Sequence, residues 1–320
     1  MYFPYLRGKQ FELLALRELA NEIKGDFNFT PIIEPVKITL TGLTTAINSM
    51  LENHLKFALV LNPYEGDFKY KSLSLLDEIS CLRDCINDWI PAFVYNSHSI
   101  ESIKEMILHE ELDHIMILFQ KTIDINDIDL MEVLNNPKVE YLVVCNGDSR
   151  TTMRNLFRIF PRKKFIRLDD NFNEATRNAD YILQEDESFT EQHLFYRTDR
   201  FYGFGDYTAL TKNFIEGGML PFAVAIHLTY QREDEVVYIH HFVSDTNDDR
   251  SNIQGKFFEA AQKIEDFYAK GIEKTQAVIE LINLISEERY PGLGFLKKLS
   301  IKNSIQLMNH ILSSENESMR

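Results

Sequence analysis

A chain of 320 residues with 44% apolar and 12% aromatic side chains can bury a sizeable core in one principal domain. Its net charge of −15 argues against a surface built to neutralise nucleic-acid phosphates or anionic lipid, so direct nucleic-acid binding is not expected. No stretch reaches about 18 uncharged apolar residues and the opening MYFPYLRGKQFELL carries no leader pattern, so membrane spanning and secretion are not expected and the reading is cytoplasmic.

Short β-branched or aromatic runs recur along the chain, each followed by a longer segment of helical period. They are 2–6, 31–33, 57–61, 91–95, 115–119, 141–145, 165–168 and 201–205. The residues after them are Arg7, Glu34, Asn62, Asn96, Gln120, Asn146, Asp169 and Asp206, at intervals of 23 to 37, which suits one strand and one helix per unit. Between the first two runs, Lys9 to Lys24 places Leu13, Leu16, Ala20 and Ile23 on one face, with Gly25 to end the helix. Ser99 is placed to cap a later helix. The segment from Asn171 to Arg200 is polar and weakly periodic, so an irregularity falls there. After Asp206 two strand-like runs, 222–230 and 235–243, flank the charged turn Gln231-Arg232-Glu233-Asp234 and predict a hairpin. Helices follow at 253–268, 274–286 and 301–313, broken at Tyr290-Pro291-Gly292, with a frayed tail over 314–320.

This pattern predicts an α/β fold: a (β/α)8 TIM-like barrel over 1–215, with an appended β-hairpin and C-terminal helices over 216–320 packed on it as one structural unit. The hairpin is expected outside the barrel or over one end. In such a barrel the polar residues that end the strands share one rim, where barrel sites lie. Arg7, Lys9, Glu34, Asn62, Glu65, Asn96, Gln120, Asn146, Asp148, Asp169, Asp170 and Asp206 fall there. Strand ends explain many of these positions without a site.

Closing the last strand on the first brings Asp206 towards Arg7 and Lys9, and Glu34 lies on the next strand. The sharpest expectation is therefore that Lys9, Glu12, Glu34 and Asp206 converge on one polar site. Lys9, Glu34 and Asp206 are the catalytic candidates, in which Arg7 and Lys9 hold an anion and Asp206 or Glu34 acts as general base. A salt bridge that merely holds closure is the structural alternative. Arg7, Glu12, Asn62, Asn96, Asn146, Asp169 and Tyr207 are the ligand-binding candidates. Hard oxygen ligands for magnesium or calcium are available in Glu34, Asp169, Asp170 and Asp206, without a motif that fixes their spacing, and no metal site or cofactor is assigned. His227 faces His240 or His241 across the hairpin, read as a cross-strand pair. Cys81, Cys85 and Cys145 read as reduced thiols. Nucleophile-elbow and Walker patterns are absent.

The block Pro4-Tyr5-Leu6-Arg7-Gly8-Lys9-Gln10-Phe11-Glu12, with Ala15-Leu16 and then Pro31 through Glu34, resembles the bacterial and phage Beta protein family. Gly203-Phe204-Gly205-Asp206-Tyr207, His240-His241-Phe242-Val243-Ser244-Asp245 and Gly255-Lys256-Phe257 extend the likeness to residue 258 or so. The opening is similar to a subgroup encoded beside a small restriction-nuclease-like protein. That resemblance implies a component of a two-gene anti-phage or mobile-element defence system, with the nuclease-like protein as partner; an anionic, nucleotide-like or phage-derived ligand at the rim is the expectation that the rim residues add. It supplies no reaction. The alternative is a metal-dependent barrel hydrolase acting on a phosphorylated or carboxylated small molecule.

Overall fold

Eight parallel strands form one continuous sheet in the computed structural model, which describes residues 1–23, 25, 27–96, 98–145, 149–217 and 219–318. They are β1 (Tyr5–Leu6), β2 (Ile32–Ile33), β3 (Phe57–Val60), β4 (Trp89–Tyr95), β5 (Ile115–Phe119), β6 (Val139–Cys145), β7 (Lys164–Asp169) and, after an intervening strand β8 (Asp186–Thr190), β9 (Gly203–Asp206). Their order in the sheet, β1-β2-β3-β4-β5-β6-β7-β9, follows the chain and matches the eight expected runs. Closure is carried by Tyr2, which bridges in parallel to both Phe29 and Phe204, and by the bond from the Phe3 amide to the Phe204 carbonyl at 2.8 Å. The fold is a (β/α)8 TIM-like barrel with additional elements.

Two glycines make that closure possible. A Cβ on Gly205 would collide with the Phe3 carbonyl, and one on Gly203 would meet the Phe3 ring and the Met1 carbonyl oxygen, the latter at 2.7 Å. Only hydrogen at these positions lets the two strand backbones lie this close. The signal in Gly203-Phe204-Gly205 is thus a packing one.

Pairing register and side-chain alternation assign the two faces of the barrel wall. Phe165 packs edge-on against Phe157 of the helix Arg150–Ile159, with centroids 4.8 Å apart, so its face is the helix-covered exterior. Arg167 and Asp169 share that parity, and their register partners Phe204 and Asp206 share it too. Tyr2 bridges Phe204 and joins the same face. Tyr5 and Arg7 have the opposite parity and point to the interior with Ile32 and Glu34.

The chain forms two compact units. Residues 1–9, 20–170 and 194–206 make up the barrel unit, and residues 10–19, 171–193 and 207–320 the second. The second unit therefore begins before residue 216 and recruits earlier segments. Its sheet is antiparallel, in the order β10-β11-β8, where β10 (Ala225–Gln231) and β11 (Val237–Val243) are the expected hairpin. Strand β8 was hidden in the polar segment after Asn171: it is an edge strand on which only Phe189 and Thr190 are buried.

Helices Ile253–Tyr268, Gln276–Ser286 and Leu293–Ser318 cover the second unit's sheet. They enclose Ile226, Leu228, Phe242, Phe257, Ile264 and Leu281. Asn303 of the last helix donates to the Thr229 carbonyl at 2.9 Å. This helix starts eight residues earlier than expected and continues through Ser318, where a frayed tail was expected. Its inner face carries two buried lysines, Lys298 and Lys302, which break the apolar period. Both reach Glu18, at 2.7 Å each, and Glu280, at 3.4 Å each. Burial alone would raise the Glu18 carboxyl, but the two ammonium groups hold it below its ordinary value.

Candidate functional site

Within the barrel unit, the interior side of the carboxyl rim is organised around Glu34. Its side chain is fully buried at the end of β2. Tyr5, one strand away, donates its hydroxyl to Glu34 Oε2 at 2.6 Å, and the Arg7 guanidinium pairs with the same oxygen. The other oxygen, Oε1, is buried and has no hydrogen-bond partner among the described residues. Burial is the largest influence on this carboxyl and raises it above the ordinary value; Arg7 and Tyr5 oppose the shift and Glu65 reinforces it.

The surrounding loops bring polar groups from neighbouring strands to the same rim. Tyr64 donates to Gln120 Oε1, linking the loops after β3 and β5. Burial first, and then the Glu34 charge, raise the Tyr64 hydroxyl. Lys69 pairs with Glu65 at 3.0 Å on the same loop. Gly8 adopts φ +62° with its Cα side against the Glu34 carbonyl and Pro35, a conformation suited to glycine. The half-buried Lys9 follows it.

Asp206 is buried at the same rim but on the other face, where it accepts from Tyr2 at 2.6 Å. Register puts Asp206 level with Pro4 and Glu34 level with Arg7. The two carboxylates are therefore offset by three residues, about 10 Å along the strands, and separated by the sheet itself. Glu12 is buried on the helix Gln10–Glu22, in a part of the chain that belongs to the second unit. Of the expected convergence, the register thus sets Glu34 and Asp206 apart: closure brings their strand ends together, while alternation sends Glu34 inward and Asp206 outward.

The ligand-binding candidates separate in the same way. Asn62 exchanges two 2.9 Å bonds with the Val94 backbone and extends the β3–β4 ladder as a side-chain surrogate. Asn96 is exposed and accepts from the His98 amide in the turn before the helix Ile100–His109. Ser99, expected as that helix's side-chain cap, bonds instead to the Val94 carbonyl. Asp169 lies on the exterior face and accepts the Arg167 Nε–H with both oxygens, at 3.0 and 2.8 Å. Burial raises its carboxyl against that pairing. Tyr207 is buried in the second unit. Asn146 and Asp148 fall outside the described residues.

No group of three or more His, Cys, Asp or Glu side chains among the described residues is arranged to hold a metal ion. Glu34 cannot share a metal with Asp169 and Asp206 from opposite faces of a packed wall. Cys81 and Cys85 are free thiols, and the Cys145 thiol donates to the Phe119 carbonyl at 2.9 Å. No helix among the described residues is long and apolar enough to cross a membrane.

Sequence reasoning missed Tyr2 and Tyr5 as donors to the two rim carboxylates. Each stands in strand register below the acid it serves, a relation that needs the pairing and not the spacing. No protein-family profile matches the chain, and no curated protein matches it either.

Proposed function

We propose that the interior rim around Glu34 recognises a polar small molecule that offers an N–H or O–H donor to Glu34 Oε1 and an acceptor to Arg7. A nucleobase edge carries both groups side by side, and a carboxylate reads such donors well. The observation that carries this reading is the buried Oε1 with no hydrogen-bond partner among the described residues, because leaving a buried acceptor unsatisfied costs about 1–3 kcal/mol. Tyr64, close enough for the Glu34 charge to act on its hydroxyl, and its acceptor Gln120 stand on neighbouring loops, and the Arg7 side chain beside Glu34 is 12% exposed.

This reading shifts the ligand away from a simple anion, since Glu34 already neutralises Arg7. It keeps the nucleotide-like ligand expected from the rim residues, while the resemblance to the Beta protein family speaks only to the setting. On that resemblance rests the wider role, a recognition component of a two-gene defence system that works with a restriction-nuclease-like partner; the net charge of −15 adds an acidic surface to engage it. The metal-dependent hydrolase built on Glu34, Asp169 and Asp206 loses its geometry once two of the three face the other way.

Calorimetric titration with uncharged nucleosides and with small carboxylates tests the ligand class. At least one nucleoside should bind, and Glu34→Gln should weaken it tenfold or more while the carboxylates stay silent. Binding confined to the anions, or unaffected by Glu34→Gln, contradicts the reading. The defence role predicts a stable complex on co-expression with the adjacent gene product.

A further inference from the structure

A second constellation lies on the exterior of the barrel unit. In a chain of net charge −15, residues 149–168 contain seven basic side chains and no acid: Arg150, Arg154, Arg158, Arg162, Lys163, Lys164 and Arg167. Part of this run lines a cleft of about 610 Å³ between the helix Arg150–Ile159, the outer faces of β6 and β7, and the segment before β9. Arg150, Arg154, Arg167 and Arg200 line it, against the single acid Asp199.

Topology explains the opening. In the barrel unit the chain between β7 and β9 contributes only residue 170 and residues 194–202, because 171–193 belong to the second unit. Among the described residues of that unit, only the end of the four-residue helix Gln192–Phe195 falls between β7 and β9, so the βα unit there lacks the long helix a complete one carries.

Arg167 and Arg200 are held in place. Asp169 grips Arg167 through Nε, leaving the two terminal nitrogens of the guanidinium for the cleft. Arg200 adopts φ +69° and lays its guanidinium 5.2 Å over the Phe157 ring. Phe157 and Phe201 meet edge to face at 5.4 Å, and with Met153 they form an apolar side to the cleft. The helix's N-terminal end, capped by Ser149 on the Thr152 amide at 3.1 Å, adds its partial positive charge near Arg150.

We propose that this cleft is a binding site for a phosphate ester of nucleotide size, with Arg150, Arg154, Arg167 and Arg200 on the phosphates and the Phe157–Phe201 side against the apolar moiety. Guanidinium forks match phosphate oxygens, and the volume suits one nucleotide. The acidic remainder of the surface disfavours a long polyanion tracked past the cleft. The barrel wall separates this site from Glu34, so it stands independently of the rim.

Calorimetric titration of the full chain with ADP, inorganic pyrophosphate and a twelve-residue oligothymidylate tests the assignment. ADP should bind most tightly. The double variant R154Q/R200Q, whose side chains are exposed and whose melting temperature without ligand should be unchanged, should bind ADP at least tenfold more weakly. In Glu34→Gln, which removes any nucleobase contact at the rim, the ADP binding that R154Q/R200Q weakens should persist. The proposal is overturned by absent ADP binding, by an affinity that R154Q/R200Q leaves intact, or by ADP binding that Glu34→Gln abolishes. Pyrophosphate matching ADP would overturn the nucleotide-sized class, and tighter binding of the oligonucleotide would overturn the small-molecule assignment.

Discussion

Arg7→Ala is expected to destabilise the barrel by about 3–5 kcal/mol at neutral pH, because it strands the buried Glu34 carboxylate without its countercharge. The carboxyl is already raised by burial, and removing Arg7 raises it further. A folded-state value above the unfolded one means that the native variant binds more protons in the window between the two. Stability therefore falls as pH rises through that window, and the loss should shrink as the pH is lowered towards 5. Denaturant titration at pH 5 and pH 8 reads the difference. Replacing both partners by apolar residues, R7M/E34L, should recover most of the loss. A pH-independent cost would show that Arg7 contributes packing and not charge.

The second large effect is the opposite pH dependence of the second unit. His227 and His241 face each other in register and share an Nδ1···Nδ1 contact of 2.6 Å, the expected cross-strand pair, with Glu187 3.1 Å from His241 Nε2 and Tyr181 and Phe172 packed around both rings. Desolvation, then the His241 and Lys297 charges, hold His227 well below the ordinary histidine value. Desolvation likewise lowers His241 against Glu187, His240 against Asp186, and His193 against its bond to the Glu235 carbonyl. Unfolded histidines take up protons near pH 6.5 while these folded ones resist. Their contribution is thus complete above that pH and lost as the pH falls below it, at up to about 1.4 kcal/mol per pH unit for each fully depressed group. Stability measured by denaturant from pH 7.5 to 5 should fall steeply, and more shallowly in H227F/H241F. A native curve that is flat over this range would contradict the assignment.

These two sites also show what the sequence made legible. The eight barrel strands were readable because a parallel strand buried on both faces is a short apolar run, as in Phe57–Val60 and Ile115–Phe119. The hairpin and the His227–His241 pair followed from period-two patterning around a charged turn. What failed depended on tertiary relations. Glu34 and Asp206 both end strands, and only the register between Tyr2 and Phe204 reveals that they face opposite ways. Strand β8 reads as a polar loop because an edge strand has little to bury. Lys298 and Lys302 concealed eight residues of helix because Glu18, some 280 positions away, makes lysine tolerable on an inner face. The arginine cleft had a compositional signal, the acid-free run 149–168, which a whole-chain charge of −15 masks.

Carbon-13 NMR of protein labelled at the glutamate carboxyls, with the Glu34 resonance identified by its loss in Glu34→Gln, tests the central claim most directly. The free protein should show Glu34 titrating above the ordinary carboxylate range. A nucleoside that binds should shift this resonance and lower its midpoint, because a donor to Oε1 favours the charged form. A Glu34 resonance whose position and midpoint stay unchanged under saturating nucleoside would contradict recognition at the rim.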